Sequence, residues 1–291
     1  MAENIEELMK SYGDGIVSRR EFIQKGAAIT GSLAAATALV DSLTPQASYA
    51  AQVAPDDPGL ASTDVKYASA DGVSIGAYLT RPKGDGKLPA VVVIHENRGL
   101  NDHIRDVARR LAKAGYAAVA PDLLSRQGGT GSFATPDAAM EGIRKLDEET
   151  LTKDLTGAIN HLKGQAFVRA NKIGVVGFCW GGGNALLIAT RNRDLAAAVV
   201  FYGRNPTNLD DVKNISGPVL GIYGEKDERI TAGVPKLEEA MKQQGKSFEY
   251  KVYPGAQHAF HNDTSPQRYH PEAAKDAWNR TLEFFKKHLQ S

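Results

Sequence analysis

The residues best suited to chemistry are one cysteine, one aspartate and one histidine: Cys179, Asp227 and His258. The chain has 291 residues and a single cysteine, so Cys179 forms no disulfide within it. It lies in Lys172-Ile-Gly-Val-Val-Gly-Phe-Cys-Trp-Gly-Gly-Gly-Asn184, where an apolar run breaks into glycines and a helix-like pattern resumes beyond them. Strand, reactive residue between glycines, then helix is the nucleophile elbow G-x-S-x-G, here with cysteine in the serine position. Glycines flank such a residue because its backbone is strained and the following helix must pass close to the strand. A lone cysteine also serves as a small buried filler, but a filler needs no Gly177 or Gly181 to Gly183 around it.

A thiol attacks a carbonyl as thiolate, so it needs a base, and the base needs an orienting partner. Asp227 follows Val219-Leu-Gly-Ile-Tyr-Gly224, and His258 follows Val252-Tyr-Pro-Gly-Ala-Gln257. Each comes just after a strand-like run and a turn. Nucleophile, acid, histidine is the chain order of hydrolases of this kind. On this reading His258 accepts a proton from the thiol or from water, while Asp227 fixes its tautomer and stabilises the imidazolium. Asp210 and Asp211 compete for the acid's role, and His261 for the histidine's. No H-x-x-x-H or clustered-cysteine pattern accompanies His95-Glu96, His258 and His261, so no metal site is expected.

These residues need a scaffold that brings strand ends together. Val65 to Thr80 alternates in polarity around Gly72, predicting two antiparallel strands. Pro89 to His95 is a continuous β-branched run of the kind covered on both faces of a parallel sheet, and Tyr116 to Leu124 is similar. Between them, Ile104, Val107, Ala108 and Leu111 have helical spacing, closed by Gly115. After the elbow come three more strands, at 196–202, 218–223 and 248–253, with helices at 234–243 and 271–289. Repeated strand–helix units predict an α/β fold, a mostly parallel central sheet with helices on both faces. In such sheets chemistry collects at the carboxyl ends of the strands.

A net charge of +1 and the absence of basic runs interleaved with aromatics argue against nucleic acid as a partner. The first fifty residues have a different character. Ser18-Arg-Arg-Glu-Phe-Ile23, a mild apolar run from Gly26 to Val40 and then Ser48-Tyr-Ala50 resemble a twin-arginine export leader with a cleavage site. The resemblance implies delivery by the twin-arginine export machinery to the periplasm; an ordinary N-terminal helix on a cytoplasmic protein is the alternative. The apolar run is shorter than the ~20 residues a stable membrane span needs. The expected organisation is a leader over 1–50, a linker rich in Pro and Asp over 51–64, and a domain over 65–291.

His95-Glu-Asn-Arg-Gly-Leu100, Ala120-Pro-Asp-Leu-Leu-Ser-Arg126, Gly177-Phe-Cys-Trp-Gly-Gly182, Tyr202-Gly203, Gly224-Glu-Lys-Asp227 and Gly255-Ala-Gln-His-Ala-Phe260 together resemble the dienelactone hydrolases, or carboxymethylenebutenolidases. The resemblance runs from Val65 to Leu289. It implies an α/β-hydrolase fold, a small-molecule ester or lactone substrate, no cofactor, and a Cys-His-Asp triad falling on Cys179, His258 and Asp227. It also implies that Glu96 lies near the resting thiol and helps convert it to thiolate when substrate arrives. The oxyanion donors are then the backbone N–H groups of Trp180 and Asn97. The founding members carry a serine after the catalytic histidine and an arginine four residues after it, gripping the substrate carboxylate. Here those positions hold Ala259 and Asn262, leaving Arg98, Arg126 and Arg204, with Tyr202, as substrate-binding candidates. A non-catalytic binding protein on the same scaffold is the competing function, and it predicts an unreactive Cys179.

Overall fold

A computed structural model of the chain describes residues 4–13, 17, 19–43 and 51–291. It divides into two compact units, Met1–Ala50 and Ala51–Ser291. In the first, helices α1 (Ile5–Gly13), α2 (Arg19–Thr30) and α3 (Leu33–Leu43) share a small core around Leu8 and Phe22. Gly31, at φ 72°, makes the turn between α2 and α3. No helix among the described residues is long and apolar enough to cross a membrane. Ser18 and Ser48-Tyr49-Ala50, on which the export-leader expectation partly rests, lie outside the described residues.

The second unit is built on one eight-stranded sheet in the order β1-β2-β4-β3-β5-β6-β7-β8. Its strands are β1 (Leu60–Ala68), β2 (Ser74–Pro82), β3 (Leu88–Ile94), β4 (Ala117–Pro121), β5 (Val168–Phe178), β6 (Leu195–Phe201), β7 (Val219–Gly224) and β8 (Phe248–Tyr253). β1 and β2 pair antiparallel, β2 joins β4 antiparallel, and every other pairing is parallel. The helices are α4 (Asp102–Lys113), α5 (Pro136–Arg144), α6 (Glu148–Lys163), α7 (Trp180–Arg191), α8 (Glu228–Thr231), α9 (Val234–Gln243) and α10 (Pro271–Phe285). This is the expected α/β-hydrolase architecture.

Side chains alternate across a strand, so β3 serves two cores. Ala90, Val92 and Ile94 pack with Leu155 and Ile159 of α6 and Leu186 of α7, while Val91 and Val93 pack with Ile104 and Val107 of α4 and Ala277 of α10. Burial on both faces is why this strand reads as an unbroken apolar run rather than an alternating one.

The stretch expected to be a linker, 51–64, has a different character. Leu60 to Asp64 pair with Tyr78 to Pro82 as the first half of β1. Upstream, the backbone N–H groups of Gln52 and Val53 donate to Asp106 at 3.1 and 2.9 Å, and the Gln52 side chain donates to Asp263 at 2.7 Å. Asp106 and Asp263 are both bound to Arg110. The prolines and aspartates of this stretch suggest a spacer, but the partners of Gln52 and Val53 lie more than fifty residues away, beyond the range of local sequence signals.

Candidate active site

β5 ends at Phe178, and the next residue, Cys179, takes φ 58° and ψ −118° before α7 begins at Trp180. Positive φ is costly for a residue with a side chain, and here the surroundings enforce it. A Cβ on Gly177 would lie 1.9 Å from the Gly181 carbonyl oxygen; one on Gly181 would lie 2.4 Å from the carbonyl oxygens of Ile94 and His95. The elbow is wedged against the end of β3 by contacts only glycine allows. Gly183 differs, since its added Cβ would first meet Arg204 Cγ at 3.2 Å.

Two later strand ends converge on Cys179. Asp227 follows β7 at the start of α8 and is buried. His258 follows β8 in a turn set by positive φ at Gly255 (70°) and Ala259 (64°). His258 Nε2 lies 3.0 Å from Cys179 Sγ, and its Nδ1 is hydrogen-bonded to Asp227 Oδ2. The competing residues lie elsewhere. Asp211 is ion-paired with Arg191 at 3.0 Å, Asp210 belongs to the same short helical turn over 209–214, and the His261 ring packs among Phe178, Phe201 and Trp278.

Burial disfavours a charged His258 ring, but its hydrogen bonds to Asp227 and Cys179 prevail, raising its pKa to about 9. The folded value is above the ordinary 6.5, so the ring's contribution to stability is complete below about 6.5 and is lost as pH rises through about 9. Titration of the His258 ring by NMR is therefore expected to give a midpoint near 9, and Asp227→Asn to move it down. A wild-type midpoint near 6.5 would contradict this account.

The cleft beside Cys179 encloses about 330 Å³. Met140, Ile143, Leu146 and Ile230 form its apolar wall; Asn97, Trp180, Tyr202 and His258 surround the thiol; Arg144, Arg204 and Arg229 supply positive charge. A larger depression of about 630 Å³, lined by Lys163, Arg193 and Ser216, lies at the amino ends of the strands. It contains none of these groups, and in folds of this kind chemistry sits at the carboxyl ends.

Among the predicted residues, Asn97, Trp180, Tyr202 and Arg204 line the cleft with Cys179 and His258. The Tyr202 ring meets His258 edge-on at 5.1 Å. Glu96 is buried, but its Oε2 accepts a 2.7 Å hydrogen bond from Asn262, and it makes none to Cys179 among the described residues. Arg98 is exposed and outside the cleft lining. Arg126 is also outside it; its guanidinium is held by Asp154 at 2.7 Å and Asp71 at 2.8 Å. Arg229 and the apolar wall are absent from the sequence reading. A signal existed for each: Arg229 is two residues past Asp227, and Met140 and Ile143 have helical spacing. Among the described residues no cluster of His, Cys, Asp or Glu is arranged to hold a metal ion.

A nucleophile elbow at the carboxyl edge of a mostly parallel, helix-covered sheet defines an α/β hydrolase. Within that class the chain belongs to the dienelactone hydrolase family, whose sequence profile matches residues 75–289. It is 37% identical to a Methylorubrum extorquens protein named "Putative carboxymethylenebutenolidase", over 81% of this chain and 84% of that one. A Saccharolobus solfataricus protein of the same name is also 37% identical, over 76% and 97%. The crystal structure of a Klebsiella pneumoniae protein described as a "Putative Dienelactone Hydrolase" superposes with a TM-score of 0.71 at 33% identity, covering 78% of this chain and 99% of that one. The chain is therefore a hydrolase of the ester- and lactone-cleaving kind.

Proposed function

We propose that this enzyme cleaves an ester or lactone through Cys179, His258 and Asp227, with a thioester acyl-enzyme as intermediate. The observation that carries the reading is the contact of His258 Nε2 with Cys179 Sγ at 3.0 Å while Asp227 occupies the other ring nitrogen. Transfer of the thiol proton to His258 yields thiolate and imidazolium, and the thiolate sulfur forms a bond to the substrate carbonyl carbon. The carbonyl oxygen becomes an oxyanion accepting from the N–H groups of Asn97 and Trp180. Its collapse breaks the carbon–oxygen ester bond, and the leaving oxygen takes the proton from His258 Nε2. Water then gives a proton to His258 and its oxygen to the acyl carbon; the carbon–sulfur bond breaks, the acid leaves, and the Cys179 sulfur takes the proton back from His258. Mass spectrometry of enzyme quenched with a slowly hydrolysed ester tests this: one acyl group is expected on the peptide containing Cys179, and turnover with acylation elsewhere or nowhere would reject it.

The cleft favours substrates bearing a negative charge. Arg204 and Arg229 line it and have no hydrogen bond or ion pair among the described residues, whereas Arg144 is paired with Glu141 and Arg126 with Asp71 and Asp154. A charge-assisted hydrogen bond contributes about 1.5–3 kcal/mol. The double substitution Arg204→Gln, Arg229→Gln is expected to raise KM for a carboxylate-bearing ester by about tenfold or more, with KM for a neutral ester changed less than about threefold. Equal effects on both esters would dissociate these arginines from charge selection.

A further inference from the structure

We propose that His95 is a positioning residue that assembles the oxyanion site, fixing the peptide that carries the Asn97 N–H and bracing Trp180 beside it. The inference rests on the preceding reading of Asn97 and Trp180 as donors and assigns the group that sets their geometry. His95 stands just past β3 and is fully buried. Its Nδ1 lies 2.7 Å from the carbonyl oxygen of Glu96, and its Nε2 accepts from the backbone N–H of Leu123 at 3.2 Å. A carbonyl only accepts and an amide N–H only donates. The two bonds together therefore fix a neutral ring with its proton on Nδ1. Burial lowers the ring's proton affinity, in keeping with that state. A second proton would set N–H against N–H at Leu123.

The Glu96 carbonyl and the Asn97 N–H belong to one peptide plane. No peptide bond among the described residues is cis, so they point in opposite directions. Holding the carbonyl against the His95 ring thus holds the N–H on the other side of that plane. Asn97 lines the cleft beside Cys179, and its N–H donates to no protein group among the described residues. The same imidazole stacks on the Trp180 indole, with centroids 5.5 Å apart and planes 18° apart. Trp180 is the first residue of α7, and the first N–H groups of a helix have no acceptor within it. The His95 carbonyl oxygen also bears on Gly181, 2.4 Å from where a Cβ would stand. One buried ring therefore ties the loop after β3, the chain after β4 and the elbow after β5.

This role differs from ordinary core packing in what it predicts. His95→Phe keeps the ring stack and removes both hydrogen bonds, whereas His95→Asn keeps an N–H able to reach the Glu96 carbonyl. Loss of one oxyanion donor lowers turnover about 10²- to 10³-fold in other acyl-transfer enzymes. H95F is expected to lower kcat by about 10²-fold, with KM within about twofold, and H95N to recover most of the loss. The accompanying measurement uses a chromophoric arylacryloyl ester and the infrared carbonyl stretch of its acyl-enzyme. That band is expected to lie lower in the wild type and H95N than in H95F, because a weaker oxyanion site polarises the thioester carbonyl less. An unshifted band with unchanged kcat in H95F, or an H95N no better than H95F, would overturn the proposal. If H95F does not fold, H95N against H95Q, which can reach Leu123 but not Glu96, makes the same comparison. Absence of any wild-type acyl-enzyme would overturn the underlying mechanism first, before any variant is compared.

Discussion

Replacing Cys179 with alanine is expected to reduce ester hydrolysis by about 10⁴-fold or more while leaving the protein folded. Removing a nucleophile from a three-residue catalytic unit costs nearly as much as removing all three, because His258 and Asp227 have nothing left to activate. The structural cost is small by comparison. The substitution deletes one sulfur from a partly exposed side chain, and alanine at φ 58° carries no more strain than the cysteine already does. The circular dichroism spectrum should be unchanged and the thermal midpoint should stay within about 4 °C of wild type, since losing one partly buried atom and one hydrogen bond costs about 1 kcal/mol. Hydrolysis within tenfold of wild type, measured on protein free of contaminating esterase, would remove Cys179 from the mechanism.

Gly181→Ala should produce a large loss of stability for a single added methyl group. Alanine favours a helix by up to about 1 kcal/mol over glycine, which opposes the loss. The added Cβ, however, would stand 2.4 Å from two backbone carbonyl oxygens, those of Ile94 and His95, and neither can rotate away. Forced overpacking typically costs about 1–3 kcal/mol when side chains can adjust. Here the end of β3 must move instead, so a net loss of about 3 kcal/mol is expected, lowering the thermal midpoint by about 6–12 °C. Gly183→Ala is the control. Its nearest neighbours are Arg204 Cγ at 3.2 Å and the Arg204 carbonyl oxygen at 3.3 Å, a milder crowding partly offset by helix propensity, so a loss well below that of Gly181→Ala is expected. If the two variants melt together, the elbow is not wedged against β3 as described.

This contrast bears on what the sequence alone discloses. The elbow is legible because its constraint is local: a strand, a reactive residue and glycines within thirteen positions. The order of Asp227 and His258 is legible because each follows a strand and a turn, and parallel topology places such ends side by side. That Gly181 and Gly182 are closed to a side chain while Gly183 is less confined is not legible, since it depends on the carbonyls of Ile94 and His95, more than eighty residues earlier, and of Phe201 on β6. Arg126 shows the same limit from the other side. It is a plausible substrate ligand until Asp71, in the β1–β2 turn, and Asp154, on α6, are brought to it. Nor does the sequence indicate that Asn262 meets Glu96, 166 positions away. Arg229 is different: it was within reach of inference beside Asp227, and its only disguise is an ordinary helical setting.

The anchoring of Gln52 and Val53 gives the catalytic domain a hidden beginning. Asp263, five residues past His258, shares Arg110 with Asp106, and the chain's entry into the domain supplies three of the donors to those two carboxylates. Burial favours the neutral acid at Asp263, yet hydrogen bonds and charge from His103 and Arg110 hold it below the usual carboxylate range, so it remains an anion needing partners. The segment that looks most dispensable is thus a clasp on the loop bearing His258. Any shortened form meant to retain that loop's geometry must keep Gln52, thirteen positions before the composition-based boundary at Val65.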